Sequence, residues 1–403
     1  MSEINIEEIK VELSEWVQEN WDPDITVSQW WKRLSDAGWS ATSLPVEAGG
    51  RGWSRVQSAA VMSTLFTHDV VGPPTGLGMM LAAPTIAIHG NEDQIERLIP
   101  PILEGSVAWC QLFSEPGAGS DLAGLQTRAV KDGDEWVING EKYYISGAGD
   151  PRCKIMICMV QTNPDGPPHK RQSQILVPMD NPGVEIVGPM HVFGKDDAPH
   201  GHMHLRFNEC RVPKDNILLG EGRGFEISQV RLGPGRIHHC MRSIGAAERA
   251  IELMVKRGLT REAFGKPIAS LGKNIEVIAK ARIEIESMRR MVLTAAKAMD
   301  ELGNEAARVW VSAVKAMVPI RVCHIIDEAI QFHGGTGVSQ WTPLADMYTS
   351  QRTLRLADGP DEVHWFVVGR AELRRWETEG GIKYDPKVSY YSEDDDSVLT
   401  ARI

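Results

Sequence analysis

The periodicity of apolar residues changes twice along this 403-residue chain, from helical to alternating and back to helical, and one layer of secondary structure cannot serve both periods. In residues 1–106 apolar side chains recur at three and four, as in Leu13, Trp16, Val17 and again Ile95, Leu98, Ile99, with Gly and Pro clusters between. This predicts an all-α domain. Residues 107–220 carry short β-rich runs at 154–160, 174–177 and 203–207, and Asp132-Gly133 and Asn139-Gly140 favour hairpin turns. An antiparallel barrel or sandwich is expected there. In residues 221–378 a seven-residue-repeat stripe of Ile278, Ala281, Ile285, Met288, Val292, Ala295 and Met299 predicts a helix bundle. Residues 379–403 are polar and include Glu393-Asp394-Asp395-Asp396, the composition of a solvated tail or of an arm on a neighbouring subunit; charge density favours the tail. The fold class is therefore α+β.

Composition removes several functions. With 42% hydrophobic residues the chain can bury a large core, so it is more than a small binding module. Net charge is −11 and the Lys and Arg residues are scattered, which argues against a nucleic-acid partner. Six cysteines without a CxxC pair predict reduced thiols and a cytoplasmic location. The N-terminal twenty residues form an acidic amphipathic pattern, so no secretory signal is expected. Val70 to Gly90 has little charge, but Pro73, Pro74, Pro84 and glycines interrupt it, which predicts a buried helix or pocket wall and no integral membrane segment.

Four segments carry chemistry. Gln331-Phe332-His333-Gly334-Gly335-Thr336-Gly337 is a turn that lets backbone approach a ligand, and it is followed by an isolated acidic tripeptide, Ala357-Asp358-Gly359. That combination suits a cradle plus a proton-abstracting carboxylate, while a helix C-cap and an acidic N-cap have the same composition. Ser114-Glu115-Pro116-Gly117-Ala118-Gly119-Ser120-Asp121 offers main-chain N–H groups and two hydroxyls to a planar polar ligand, or is a plain β-turn. Strand alternation places Tyr144 and Ser146 on one face, which suits a flat heteroaromatic ring or ordinary sheet packing. Arg261, beside Phe264-Gly265, suits a phosphate or a helix C-terminus equally. His200, His202 and His204 alternate as chelating residues would, but no Cys or carboxylate completes a ligand set, so they read as structural. His238-His239 either lies near a ligand or packs in the bundle, and packing is the commoner use.

Taken in order and spacing, these segments resemble the acyl-CoA dehydrogenase family over residues 6–375, in the branch containing its family members ten and eleven. The resemblance implies an N-terminal helical domain, a central β-barrel and a C-terminal four-helix bundle, assembled as a homotetramer or homodimer. It implies FAD between barrel and bundle, an acyl-CoA substrate and an electron-transfer flavoprotein as partner. Carried over by position, Ser114, Gly119 and Ser120 would meet the flavin ring, and Tyr144, Ile145 and Ser146 stand where the family has Trp-Ile-Thr. Arg261 would reach the pyrophosphate across a subunit boundary, and Gln331, Gly334 and Gly335 the adenosine portion. Ser120, Arg236, Gly359 and Arg370 would lie on the substrate side.

Asp358 stands where most members carry a catalytic glutamate; Gly235, where a minority carry their base on a bundle helix, has no side chain to serve. The implied reaction is α,β-dehydrogenation of an acyl-CoA thioester to a 2-enoyl-CoA. Burial beside an uncharged ligand is expected to raise the Asp358 pKa toward the working pH, and the shorter side chain requires its loop to sit nearer the substrate. The rival activities are an oxygen-using acyl-CoA oxidase, a flavin monooxygenase, which generally lacks the acidic loop residue, and an inactive partner subunit of a heteromeric dehydrogenase.

Overall fold

The computed structural model describes residues 5–378, apart from the side chains of 229–231 and 378. The polar tail expected at 379–403 lies outside the described residues. Two compact units divide between Arg231 and Leu232.

The first unit opens with α1 (Ile6–Asn20), α2 (Val27–Asp36), α3 (Arg55–Thr67), α4 (Ala83–His89) and α5 (Glu92–Leu103). Capping boxes at Asn5, Thr26, Ser54 and Asn91 start four of them. The periodic residues Leu13 and Val17 pack with Trp30, Trp39 and Leu65, and the Arg51 guanidinium lies 3.7 Å from the centre of the Trp39 ring. Val70 to Gly90 is not one span: a π-helical turn at Gly78–Ala82 runs into α4, with Gly78, Ala82, Ala83 and Ile86 buried.

Seven strands follow: β1 (Ala108–Leu112), β2 (Arg128–Asp132), β3 (Glu135–Ser146), β4 (Cys153–Gln161), β5 (Gln172–Pro178), β6 (Val184–Pro189) and β7 (His202–Pro213). They pair in the order β1-β4-β2-β3-β7-β6, with β5 on β4. The closed antiparallel barrel or sandwich expected from the sequence is replaced by a curled, open half-barrel: the pairing path ends at β1 and β6, and β1 runs parallel to β4. The β2–β3 hairpin does form, but its two turn residues are Gly133-Asp134, one position on from the expected pair, with Asp132 opposite Glu135 as the last strand residue. Asn139-Gly140 makes no turn. Gly140 sits inside β3 at φ +152°, where the register against β7 shifts and a Cβ would lie 2.7 Å from Thr127 Cα. The glycine is needed for close backbone approach at a bulge, which a turn rule cannot separate from a hairpin.

The helix α6 (Gly224–Thr260) leads into the second unit. A short hairpin of β8 (Glu262–Ala263) and β9 (Lys266–Pro267) connects it to α7 (Asn274–Ala306), which is followed by α8 (Arg308–His333), α9 (Leu344–Thr353) and α10 (Asp361–Thr378). The predicted stripe on α7 is the core seam: Ala281, Ile285, Met288, Val292 and Ala295 are buried against Ile244, Ala247 and Ile251 of α6 and Val314, Val318 and Val322 of α8. Residues 308–338 are apolar and long enough to cross a bilayer by composition, yet 61% of the most apolar stretch is buried. The apolarity of α8 comes from its place at the centre of the bundle.

Candidate active site

The loop between α9 and α10 holds Asp358 at φ +56°, a left-handed conformation that a non-glycine residue adopts only where its surroundings impose it. Three helices supply the constraint. Arg236 on α6 donates Nε–H to the Asp358 carbonyl at 3.0 Å, and His364 on α10 meets the same oxygen with Nε2 at 3.2 Å. Lys315 on α8, 0% exposed, donates Nζ–H to the carbonyls of Leu354 and Gly359. Arg355 closes the loop on Asp361, Nε to Oδ2 at 2.7 Å. A trans peptide points its N–H opposite its C=O. The peptide that turns the Asp358 carbonyl to these donors points the Gly359 N–H the other way, and the N–H groups of Asp358 and Gly359 have no partners among the described residues.

The Asp358 side chain, 28% exposed, takes no backbone N–H, so the alternative reading as a helix N-cap does not apply. Its Oδ2 lies 3.0 Å from His239 Nε2. A Cβ built on Gly235 would lie 3.7 Å from the same Oδ2, so the two positions at which the family places a base converge on one point. Gly235, His239 and Arg242 are spaced four and three apart and share one stripe of α6. Arg242 Nε–H donates to His239 Nδ1 at 3.1 Å.

Burial acts to raise the Asp358 pKa and is the largest single influence, but His239, Arg236 and Lys315 together hold it below the ordinary carboxylate value. The hydrogen bond from His239 and the charges of Arg236 and Lys315 outweigh desolvation. Burial, assisted by Arg236 and Lys315, lowers His364 to about 4. Burial also holds Lys315 below its usual range.

The other candidate residues fall into separate groups. In the first unit Tyr143 N–H donates to the Ser114 carbonyl at 2.9 Å, which puts the Ser114 loop beside Tyr144-Ile145-Ser146. Tyr144 is 58% exposed at φ +57°, in a β-bulge, while Ile145 is buried; plain strand alternation is interrupted here. Ser114 and Ser120 have hydroxyls without partners among the described residues, Gly119 is open on its side-chain face, and the Gln111 amide oxygen is buried and unpaired. The strand histidines are occupied: His202 bridges Ser146 Oγ at 2.8 Å and Asp197 Oδ2 at 3.0 Å, and His204 meets Glu141 and the edge of Tyr143.

In the second unit Arg261 is exposed and has no ion pair among the described residues; it flanks Phe264, which is 94% exposed. Gln331 and Gly334 cap α8, and a Cβ at Gly334 or Gly335 would meet nothing. Arg370 stacks over Phe366 and makes no polar contact with the Asp358 group among the described residues. The structure thus joins Arg236, Asp358 and Gly359 and leaves Arg370 out. Lys315, His364, Arg242 and His239 were missed as site residues. The i, i+4, i+7 spacing of Gly235, His239 and Arg242 was the available signal for the last two; reading His238-His239 as packing is overturned for His239.

Sequence profiles of the acyl-CoA dehydrogenase N-terminal, middle and C-terminal domains match residues 3–106, 110–209 and 222–373. The chain belongs to the acyl-CoA dehydrogenase family. It is 42% identical to acyl-CoA dehydrogenase family member 10 of Mus musculus, over 88% of this chain and 34% of the relative. It is 48% identical to family member 11 of Rattus norvegicus, over 71% of this chain and 37% of the relative. The resemblance to that branch is confirmed, and the chain spans about a third of the length of these curated relatives. Among solved structures, the "putative acyl-CoA dehydrogenase" of Mycobacterium abscessus superposes with a TM-score of 0.77 at 36% identity, covering 92% of this chain and 98% of that one.

Proposed function

We propose that the chain is an FAD-dependent acyl-CoA dehydrogenase that converts an acyl-CoA thioester to its 2-enoyl-CoA, with Asp358 as the base. Family membership supports the reaction class, and one observation carries the assignment of the base: a half-buried carboxylate, on a loop held by side chains from three helices, stands against the bundle-helix position weighed above as the alternative, which here is glycine. When FAD is bound it supplies the hydride acceptor for the β carbon. Asp358 takes the α proton. The unpaired N–H of Asp358 is placed to donate to the thioester oxygen as charge develops there, and Arg236, His364 and Lys315 hold the loop that carries it through the carbonyls of Asp358, Gly359 and Leu354.

The residues present fit the cofactor. Ser114 and Ser120 offer hydroxyls, Gly119 open backbone and Tyr144 an exposed ring, with Ile145 and Ser146 completing the assignment although the Ser146 hydroxyl already meets His202. Arg261 offers an unpaired cation to a pyrophosphate, and Gln331, Gly334 and Gly335 an open turn to its adenosine end. Exposure of Phe264 on its hairpin supports presentation of Arg261 to a second subunit in a homodimer or homotetramer. Ser120, Arg236, Gly359 and Arg370 remain the substrate-side assignment, with Arg370 the least supported.

The same proposal divides the chain into domains at 1–106, 107–220 and 221–378 with a tail at 379–403; the profile matches support the first three. It takes an electron-transfer flavoprotein as acceptor and the cytoplasm as compartment, the latter supported by six buried cysteines without a disulfide. An anaerobic flavin-bleaching screen against CoA thioesters tests the reading. Asp358→Asn should bind FAD as the parent does and bleach about 10²–10⁴-fold more slowly. Bleaching at the parental rate removes Asp358 from the role, and fast reoxidation of the bleached enzyme by oxygen favours the oxidase.

A further inference from the structure

We infer that His239, locked by Arg242, is the positioning residue for the catalytic carboxylate: it tethers Oδ2 of Asp358 and leaves Oδ1 as the one oxygen that meets substrate. The inference rests on the reading of Asp358 as the base and goes beyond it.

The argument begins with proton inventory. An arginine has only donors, so the Arg242 Nε–H at 3.1 Å from His239 Nδ1 requires that nitrogen to be the acceptor of a neutral ring. The single ring proton then resides on Nε2, the nitrogen 3.0 Å from Asp358 Oδ2. Arg242 thereby selects the tautomer that can donate to the carboxylate. Among the described residues Oδ2 is the only carboxylate oxygen of Asp358 with a partner. Gly235 keeps this approach clear, because a branched or long side chain there would enter the space around Oδ2.

The tether addresses a problem of reach. Aspartate is one methylene shorter than glutamate, and a side chain free to rotate would present either oxygen or neither; fixing one oxygen fixes the direction of the other. Other charged groups face this pair from every packed element. Arg236, Arg242 and His238 lie on α6, Lys315 on α8, and Asp361 and His364 on α10, while Arg308 acts on Arg236. Of these, His239 alone lies within ion-pair distance of the carboxylate. A donor to the ionised form stabilises it, so removing His239 moves Asp358 upward.

The experiment compares flavin bleaching by an active acyl-CoA in His239→Ala, His239→Gln and His239→Asn holoenzymes across pH. In His239→Ala the plateau rate should fall by about tenfold to a hundredfold, and the acid limb of kcat/KM should move up by about one pH unit. Gln places its amide nitrogen near the position of Nε2 and should recover most of the plateau rate, whereas Asn is too short and should not. Unchanged rate and acid limb in His239→Ala, or equal rates for Gln and Asn, overturn the inference. If the alanine variant fails to hold flavin, the Gln and Asn pair decides by itself. A wild-type enzyme that no CoA thioester bleaches, or an Asp358→Asn variant as fast as the parent, defeats the underlying reading instead.

Discussion

Among the described residues two lysines are fully buried, and they are buried for different reasons. Lys142, in the sheet, is surrounded by acceptors: the Glu115 carboxylate at 2.8 Å and the carbonyls of Met159 at 2.7 Å and Phe113 at 3.2 Å. Glu115 is saturated in turn by the backbone N–H groups of Gln126 and Thr127, and although burial works to raise it, Lys142 and these donors hold it below its usual range. Every charge in this group has its counter-charge, and the result is a clamp on the Ser-Glu-Pro-Gly loop. Lys315, in the bundle, has carbonyls but no carboxylate within ion-pair distance, and its charge falls partly on Asp358. A buried cation that is fully neutralised closes a structure, while one left short of counter-charge tunes a neighbour.

Removal of each lysine should break the parallel between them. Lys142→Met strands the Glu115 carboxylate in the sheet and should cost about 3–5 kcal/mol of unfolding free energy, with the acid limb of bleaching in place. Chemical denaturation measures the first quantity and the pH profile of the folded enzyme the second. A stable Lys142→Met variant would refute the clamp.

Acid should then weaken the bundle site through a group the sheet lacks. His364 is held neutral in the folded state, with its pKa lowered from 6.5 to about 4. The unfolded chain therefore takes up this proton first as pH falls. The neutral form stabilises the fold above pH 6.5, and that contribution is lost between 6.5 and about 4, amounting to about 3 kcal/mol. His364→Gln, which keeps a donor for the Asp358 carbonyl and cannot titrate, should lose correspondingly less stability across that window. Parallel stability curves for the two proteins would exclude His364 as the source.

The smallest stability effect belongs to the second lysine. Lys315→Met should cost about 1–2 kcal/mol, since it leaves carbonyls unpaired but also removes an expensive buried charge. Its effect should appear in catalysis: the loop carbonyls lose a donor and the acid limb of kcat/KM moves up as Asp358 loses a stabilising cation. A Lys315→Met enzyme with the parental acid limb would place Lys315 with Lys142 as a structural residue.

Much of this was legible in the chain, and the failures have a common cause. The α7 stripe, the strand runs and the place of the β2–β3 hairpin are written in neighbouring residues, so period and turn chemistry find them. The motif order sufficed to name the family and to single out Asp358. Asn139-Gly140 misled because its glycine answers to Thr127, a residue that immediately precedes β2. The sheet was expected to close, yet closure depends on whether the two terminal strands find each other, which no single strand encodes.

By itself, then, the sequence determined the layers, their order, the family and the carboxylate proposed as the base. The tertiary structure decided the state of that carboxylate. Residues 236, 239, 315 and 364 come from three helices, and only folding brings their donor groups together around position 358. Burial alone would have raised that acid; the assembled donors lower it, because electrostatic energy depends on distances in space rather than on separation along the chain.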